Sequence, residues 1–260
     1  RCVGSFLGIV YLWSACDTLW PSLVGLFMLG ISGYGGEGGF NGLWMNAVGN
    51  YTVLLTLFAM VLFGAMDSVG DTKYIAKWFL TRKIFKGRPV VFWAVFYACV
   101  FALSAVCSPI TALIILWPIS LSLMETLGVK REDRFWKYFF VGMFAAGTLS
   151  QPLFPFMGAQ LIPYAAFQSM TAAMGNPMTI PMLQYMIVAI VMTALIMAVY
   201  IAIVKFVLRV DMSKLKAIDP EMVEKQMPLP PMTLPQKIYL LMVPCFLIMM
   251  LVPSFFPDFT

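Results

Sequence analysis

Whole stretches of about 20 residues in this chain carry no charge, and that feature decides the solvent in which it folds. A soluble chain of 260 residues buries one or two cores and still covers its surface with charge. Here hydrophobic residues make up 61% and charged residues only 11%. Lipid accounts for that balance, and bilayer-spanning helices are the economical solution because each closes its own backbone hydrogen bonds. The fold class expected is an all-α polytopic membrane protein.

Apolar segments stand out at about 4–14, 17–34, 51–70, 89–127, 138–170, 183–209 and 237–256. The first, at roughly ten residues, is too short to span. The fourth and fifth are too long for one helix, and each is broken by proline in its middle. Lysine and arginine in short loops mark the cytoplasmic side, so their clustering sets the topology. Lys73, Lys77, Arg82, Lys83, Lys86 and Arg88 form one cluster, and Lys130, Arg131, Arg134 and Lys137 a second. Lys205, Arg209, Lys214, Lys216, Lys225 and Lys237 form a third, and only Arg1 falls outside them.

The polar stretches 33–50 and 168–182 hold Glu37 and no other charge, which assigns them to the opposite face. Loops 71–88, 128–137 and 210–236 are therefore expected in the cytoplasm. Segment 51–70 runs inward, 89–127 leaves the cytoplasmic side and returns to it, 138–170 and 183–209 cross outward and back, and 237–256 crosses outward again. Gly33-Tyr-Gly-Gly-Glu-Gly-Gly-Phe40, followed by Trp44, reads as an outer loop with an aromatic side at the interface. In Thr72–Ile84, aromatic and aliphatic residues alternate with Lys73, Lys77, Arg82 and Lys83 at helical spacing, which suits a helix lying in the headgroup plane. Pro228-Leu-Pro-Pro-Met-Thr-Leu-Pro235 closes a proline-rich linker that cannot continue a helix and marks the clearest boundary in the chain. The sequence enters an apolar run directly from Arg1 and stops at Asp258–Thr260 just after another, so a fragment of a longer protein is expected.

Composition also restricts the chemistry. There is no histidine, which removes the commonest metal ligand and proton shuttle and with them any Ser–His or Cys–His partnership. Cys2, Cys16, Cys99, Cys107 and Cys245 include no CxxC pair, so neither a zinc site nor a disulfide framework is indicated. The 21 methionines read as apolar filler. Asp67, Asp71 and Glu125 lie near segment ends, where a solvated carboxylate is normal. An enzyme is not expected, and no cofactor or nucleic-acid partner is implied.

The two breaks carry the functional signal. Segment 89–127 has about 18 apolar residues on each side of Cys107-Ser108-Pro109-Ile110-Thr111, enough for two arms of roughly 27 Å. One reading is a re-entrant hairpin, whose freed backbone carbonyls could coordinate a cation. The other is a proline-kinked pair in which Ser108 and Thr111 bond back to their own helices. The second break is Gly147-Thr-Leu-Ser-Gln-Pro-Leu-Phe-Pro155, followed by Gly158-Ala-Gln160 and Pro163. Prolines cost about 3 kcal/mol each in a helix interior, so an unwound section lining a cavity is the better account. Its Thr148, Ser150, Gln151 and Gln160 side chains can bind a substrate without bringing charge into the bilayer.

The order of these parts resembles the divalent anion/sodium symporter family. The resemblance rests on Leu57-Phe-Ala-Met-Val-Leu-Phe-Gly-Ala-Met-Asp67, then Gly70, the basic stretch Lys73-Tyr-Ile-Ala-Lys77, a hairpin with Ser108 at its tip, and Trp117-Pro-Ile119 beyond it. It covers most of the chain, but only as the first of that family's two inverted repeats. It implies scaffold helices at 1–70, a cytoplasmic amphipathic arm at 71–88 and a transport part at 89–182, made of hairpin 89–127, broken helix 138–170 and outer loop 171–182. A transmembrane helix at 183–209, a cytoplasmic linker at 210–236 and the first helix of a second repeat at 237–260 follow. It also implies a homodimer that moves citrate-like or C4 dicarboxylates, often with sodium, by an elevator movement. Substrate or ion contacts would come from Ser108, Pro109, Thr111, Gly147, Thr148, Ser150, Gln151, Gly158 and Gln160, with a sodium site at Ser108 and Gly147. The tip departs from the family's usual Ser-Asn-Thr, because Pro109 takes the asparagine position and Ile110 the threonine position. The second break departs too, although it keeps glycine, threonine, proline and a terminal amide.

The function expected is secondary active transport of an anionic di- or tricarboxylate, with cation coupling. A cation/proton antiporter or arsenite-type exporter of related architecture is the alternative, and it would need an intramembrane carboxylate.

Overall fold

The computed structural model describes residues 2–17, 19–33, 39–49, 51–82, 84, 86–154, 160–178 and 180–255. All regular structure among them is helical. The chain divides into two compact units, Arg1–Phe58 and Ala59–Thr260.

In the first unit, α1 (Cys2–Ala15) packs on α2 (Leu19–Ile31) because Gly25 leaves room for the Ile9 side chain. Both helices are shorter than a membrane span, and for segment 17–34 that is a shorter element than the run of apolar residues promised. The stretch read as an outer loop forms α3 (Gly39–Val48) from its second half, while residues 34–38 lie outside the described set. Phe40 closes against Gly30, packs edge-on to Phe27 at 5.5 Å and meets Trp44 at 6.0 Å. Part of the expected outer loop is thus helical and packed by aromatic contacts.

Helix α4 (Tyr51–Ser68) passes from one unit to the other. It is followed by a sharp elbow at Gly70, whose φ of 79° lies in the left-handed region that favours glycine. The next helix, α5 (Asp71–Leu80), is bent 76° from α4. Its Ala76 and Leu80 are buried in the main core, so only part of its apolar side, with Trp78 exposed beneath the Arg82 guanidinium, is left for a headgroup layer.

The centre of the second unit is α6 (Pro89–Val106), which packs against α5, α7 (Pro109–Thr126), α8 (Arg134–Thr148) and α10 (Met182–Ala202). Trp93, Phe96 and Tyr97 of α6 interlock with Phe135 and Phe139 of α8, Trp93 lying 5.3 Å from Phe135 and Phe96 5.0 Å from Phe139. Gly142 makes the seam close. The Tyr97 hydroxyl donates to Phe139 O at 2.9 Å and the Tyr200 hydroxyl to Tyr138 O at 2.7 Å, and both rings occupy the space a side chain at Gly142 would need.

A break does fall inside segment 138–170: α8 ends at Thr148, a 3₁₀ turn covers Gln151–Leu153, and α9 (Leu161–Ala173) begins beyond residues 155–159. Helix α10 continues through a π turn at Ile203–Val207. Among the described residues four helical stretches, Pro89–Val106, Pro109–Thr126, Met182–Val207 and Leu234–Val252, are long and apolar enough to cross a membrane, and α4 with α5 makes a fifth if the bent pair is one span. Ile187, Val191 and Leu195 on α10, with Leu241, Ile248 and Met249 on α12 (Leu234–Phe255), stand exposed as lipid-facing side chains would.

The proline-rich linker is not a free spacer. After Arg209, whose φ of 48° turns the chain sharply, a 3₁₀ turn at Ser213–Ala217 and α11 (Pro220–Gln226) bury Val210, Met212, Leu215, Ile218, Val223 and Met227 in the core. Lys86 pairs with Asp219 at 2.6 Å, Lys77 with Glu224 at 3.6 Å, and Lys214 with Asp133 at 2.8 Å. Tyr74 donates to Pro230 O and Gln236 to Val69 O. The three basic loops are thereby gathered by one clasp.

Candidate functional site

The two breaks meet. Ser108 is extended and caps α7, accepting from Thr111 N at 3.1 Å and donating to the Thr111 hydroxyl at 3.0 Å. Pro109 occupies the first turn, where its missing N–H costs nothing and its fixed φ suits the helix. This is an N-cap in which the Ser108 hydroxyl serves α7, and among the described residues neither hydroxyl makes the back-bond to a preceding carbonyl that a kinked pair would use. Immediately beside it lies the C-terminal end of α8. A Cβ placed on Gly147 would stand 3.3 Å from Ser104 Oγ, 3.7 Å from Val100 Cγ1 and 3.8 Å from Pro109 Cβ. A side chain at Gly147 would press on the Ser104 hydroxyl, which would have to give by a few tenths of an ångström.

Ser104, one helical turn before Ser108, was not singled out by the sequence. It is 4% exposed, and its hydroxyl has no hydrogen-bond partner among the described residues. A buried unpaired hydroxyl is costly, so a bound group that accepts or donates there would relieve the cost. No sequence signal marks it, because Ser104 belongs to α6, which ends at Val106, whereas Ser108 is extended and begins α7.

On the α8 side, Ser150 is buried and donates to Gly147 O at 2.7 Å, and Thr193 of α10 reaches Leu149 O at 3.4 Å. Thr148 donates to Phe144 O and Ala145 O and faces outward, and Gln151 is exposed. Gln160 stands at the start of α9, beyond residues 155–159, and no side-chain hydrogen bond described here joins it to the tip. Gly158 lies outside the described residues. The structure therefore brings together Ser108, Pro109, Thr111, Gly147 and Ser150, adds Ser104, and leaves Thr148 and Gln151 turned away.

Chemically, the place joins the positive N-terminal end of an 18-residue helix to the carbonyl end of α8, beside the Ser104 hydroxyl, which has no partner among the described residues. Such a pairing offers donors to an anion and carbonyl oxygens to a small cation in one neighbourhood. No group of three or more Cys, Asp or Glu suited to a metal ion occurs among the described residues. Charge is instead concentrated at the clasp. The Lys86 ammonium holds the Asp219 carboxyl below its ordinary range and is itself raised by it, and Lys214 with the Lys130 amide does the same for Asp133. Comparison with family models, curated proteins and solved structures returns no match.

Proposed function

We propose that this chain forms part of a secondary active transporter for an anionic metabolite, a di- or tricarboxylate such as citrate or succinate, coupled to a cation. The observation that carries the reading is the meeting of two interrupted helices at Gly147, Ser104 and Pro109, in a segment otherwise built to be apolar. Interrupting two helices leaves backbone groups that need partners, and a polar ligand held between them would supply those partners. On this reading α6 and α7 form a re-entrant hairpin, which moves with α8 and α9 as an elevator against a scaffold within a homodimer. The cytoplasmic side is the end where the clasp lies.

The test is uptake of radiolabelled succinate and citrate into liposomes containing the purified full-length protein, with and without sodium and proton gradients. Gradient-dependent accumulation is expected. No accumulation of any di- or tricarboxylate under either gradient would remove the substrate class. A cation/proton antiporter or arsenite-type exporter remains the second reading, and one observation favours it: the fully buried, unpaired carboxylate of Asp71.

A further inference from the structure

We propose that Asp71 is a proton-binding site, a carboxylic acid that keeps its proton while the α4–α5 elbow is closed and releases it when the elbow opens. The inference concerns this side chain alone and holds for either cargo. Asp71 is 0% exposed, and neither carboxylate oxygen has a partner among the described residues. Carboxylates at segment ends are normally solvated, so this burial was not to be expected from position in the sequence. An ionised carboxylate left unpaired out of water is far costlier than the neutral acid, which makes protonation the natural state of the closed elbow.

The neighbouring charges do not offer an escape. Asp67, on α4, is engaged by the Thr72 hydroxyl at 3.4 Å. On α5 itself, Lys77 turns to Glu224 of α11 at 3.6 Å, and Lys73 is exposed. The titratable groups carried by the other elements packed on α5 are Tyr97 and Cys99 on α6, Glu125 on α7, Glu221, Glu224 and Lys225 on α11, and Lys237, Tyr239 and Cys245 on α12. None makes an ion pair or hydrogen bond with Asp71. No group of three or more Cys, Asp or Glu suited to a metal ion occurs among the described residues, so a proton fits better than a metal ion.

The elbow supplies the switch. Asp71 is the first residue of α5, directly after Gly70 in its left-handed conformation and the 76° bend. A small backbone rotation at Gly70 would swing the carboxyl into water, where the O–H bond breaks, the proton passes to solvent and the electron pair stays on the carboxylate. Reclosing requires reprotonation. The position of α5 and the protonation of Asp71 are then two views of one equilibrium.

The experiment is infrared spectroscopy of the full-length protein in lipid, scanned from pH 5 to pH 9, on wild type and Asp71→Asn. Wild type is expected to keep a protonated-carboxyl absorption at pH 7 that the variant lacks. Hydrogen exchange over residues 67–80, corrected for the intrinsic rate, is expected to lose protection at least tenfold in wild type as pH rises through loss of that band, and to stay level in Asp71→Asn. Identical infrared spectra for the two proteins overturn the proposal, as does an unchanged exchange profile in wild type. If the band is present but is lost on adding sodium at constant pH, the site is a cation site and the proton assignment falls. Should Asp71→Asn fail to fold, the pH course of the wild-type band decides alone, since an absence of protonated carboxyl at pH 7 overturns the proposal without any variant.

Discussion

Two serines four residues apart have opposite roles. Ser108 is satisfied twice over as the cap of α7, whereas Ser104 is buried with no hydrogen-bond partner among the described residues. Replacing Ser108 with alanine should cost about 1 kcal/mol, the ordinary value of a lost cap, visible as a lower midpoint in thermal unfolding in detergent. Replacing Ser104 with alanine should leave that midpoint level or higher, because it removes an unpaired hydroxyl, and should still lower substrate-dependent uptake. A Ser104→Ala protein that transports normally would take the hydroxyl out of the site. The two close glycines separate in the same way. At Gly142 a methyl group would overlap Tyr97 and Tyr200, so Gly142→Ala should lose about 1–3 kcal/mol of stability. At Gly147 the nearest atom is a hydroxyl that can rotate, so Gly147→Ala should fold and fail in uptake instead. The interruption at Ser108-Pro109 was readable in advance because proline cannot continue a helix, though the cap it makes was not. Ser104 and Asp71 were not, since what distinguishes them is burial without a partner, and that is decided by α8 and by the elbow.

At the scale of elements, the clasp is held by apolar burial more than by its ion pairs. Leu215 is 1% exposed within a 3₁₀ turn, so Leu215→Ala should cost about 2–5 kcal/mol and release residues 210–236 to protease. Lys86→Ala should have little effect, since its pair with Asp219 is solvated. The charges do set a pH window. Asp219 and Asp133 are held below the ordinary Asp value of 3.8, so their contribution is full above that value and is lost as pH falls through the lowered one. Lys86 is held above its ordinary 10.5, so its contribution is full below that value and is lost as pH rises through the raised one. Protease nicking of 210–236 should accordingly stay flat between those limits and rise only slightly outside them, far less than in Leu215→Ala. The long apolar helices α6, α7 and α10 could be read from hydropathy. The clasp could not, because Val210, Met212, Leu215 and Ile218 follow neither a 3.6-residue nor a 2-residue period, and prolines around them resembled a spacer. The elbow and α3 were hidden for a related reason: glycine and aromatic residues signal loops until tertiary packing closes them.

For the whole molecule, the gathering of three basic loops by one clasp limits how many times the intervening chain can cross a bilayer. Lys86 and Asp219, like Asp133 and Lys214, are in contact, so each pair lies on one side, and an even number of crossings separates its members. Charge clustering predicts that the three basic loops share one side, and the ion pairs show that they touch. It leaves open which even number applies to α6 and α7, since each is 18 residues, about 27 Å, and long enough to cross. Single cysteines at Lys73, Arg131, Lys216, Asn176 and Ile110, introduced into a cysteine-free protein, convert that question into labelling by a membrane-impermeant maleimide. The side chains of all five positions are exposed in the structure. Cysteines at 73, 131 and 216 should react from one side and the cysteine at 176 from the other; reaction of 131 and 176 from the same side would overturn the topology. A hairpin that crosses fully would present position 110 to the same side as 176 at a similar rate. The re-entrant arrangement required for an elevator instead buries the tip within the bilayer thickness, and position 110 should then react at least tenfold more slowly than 176 from that side.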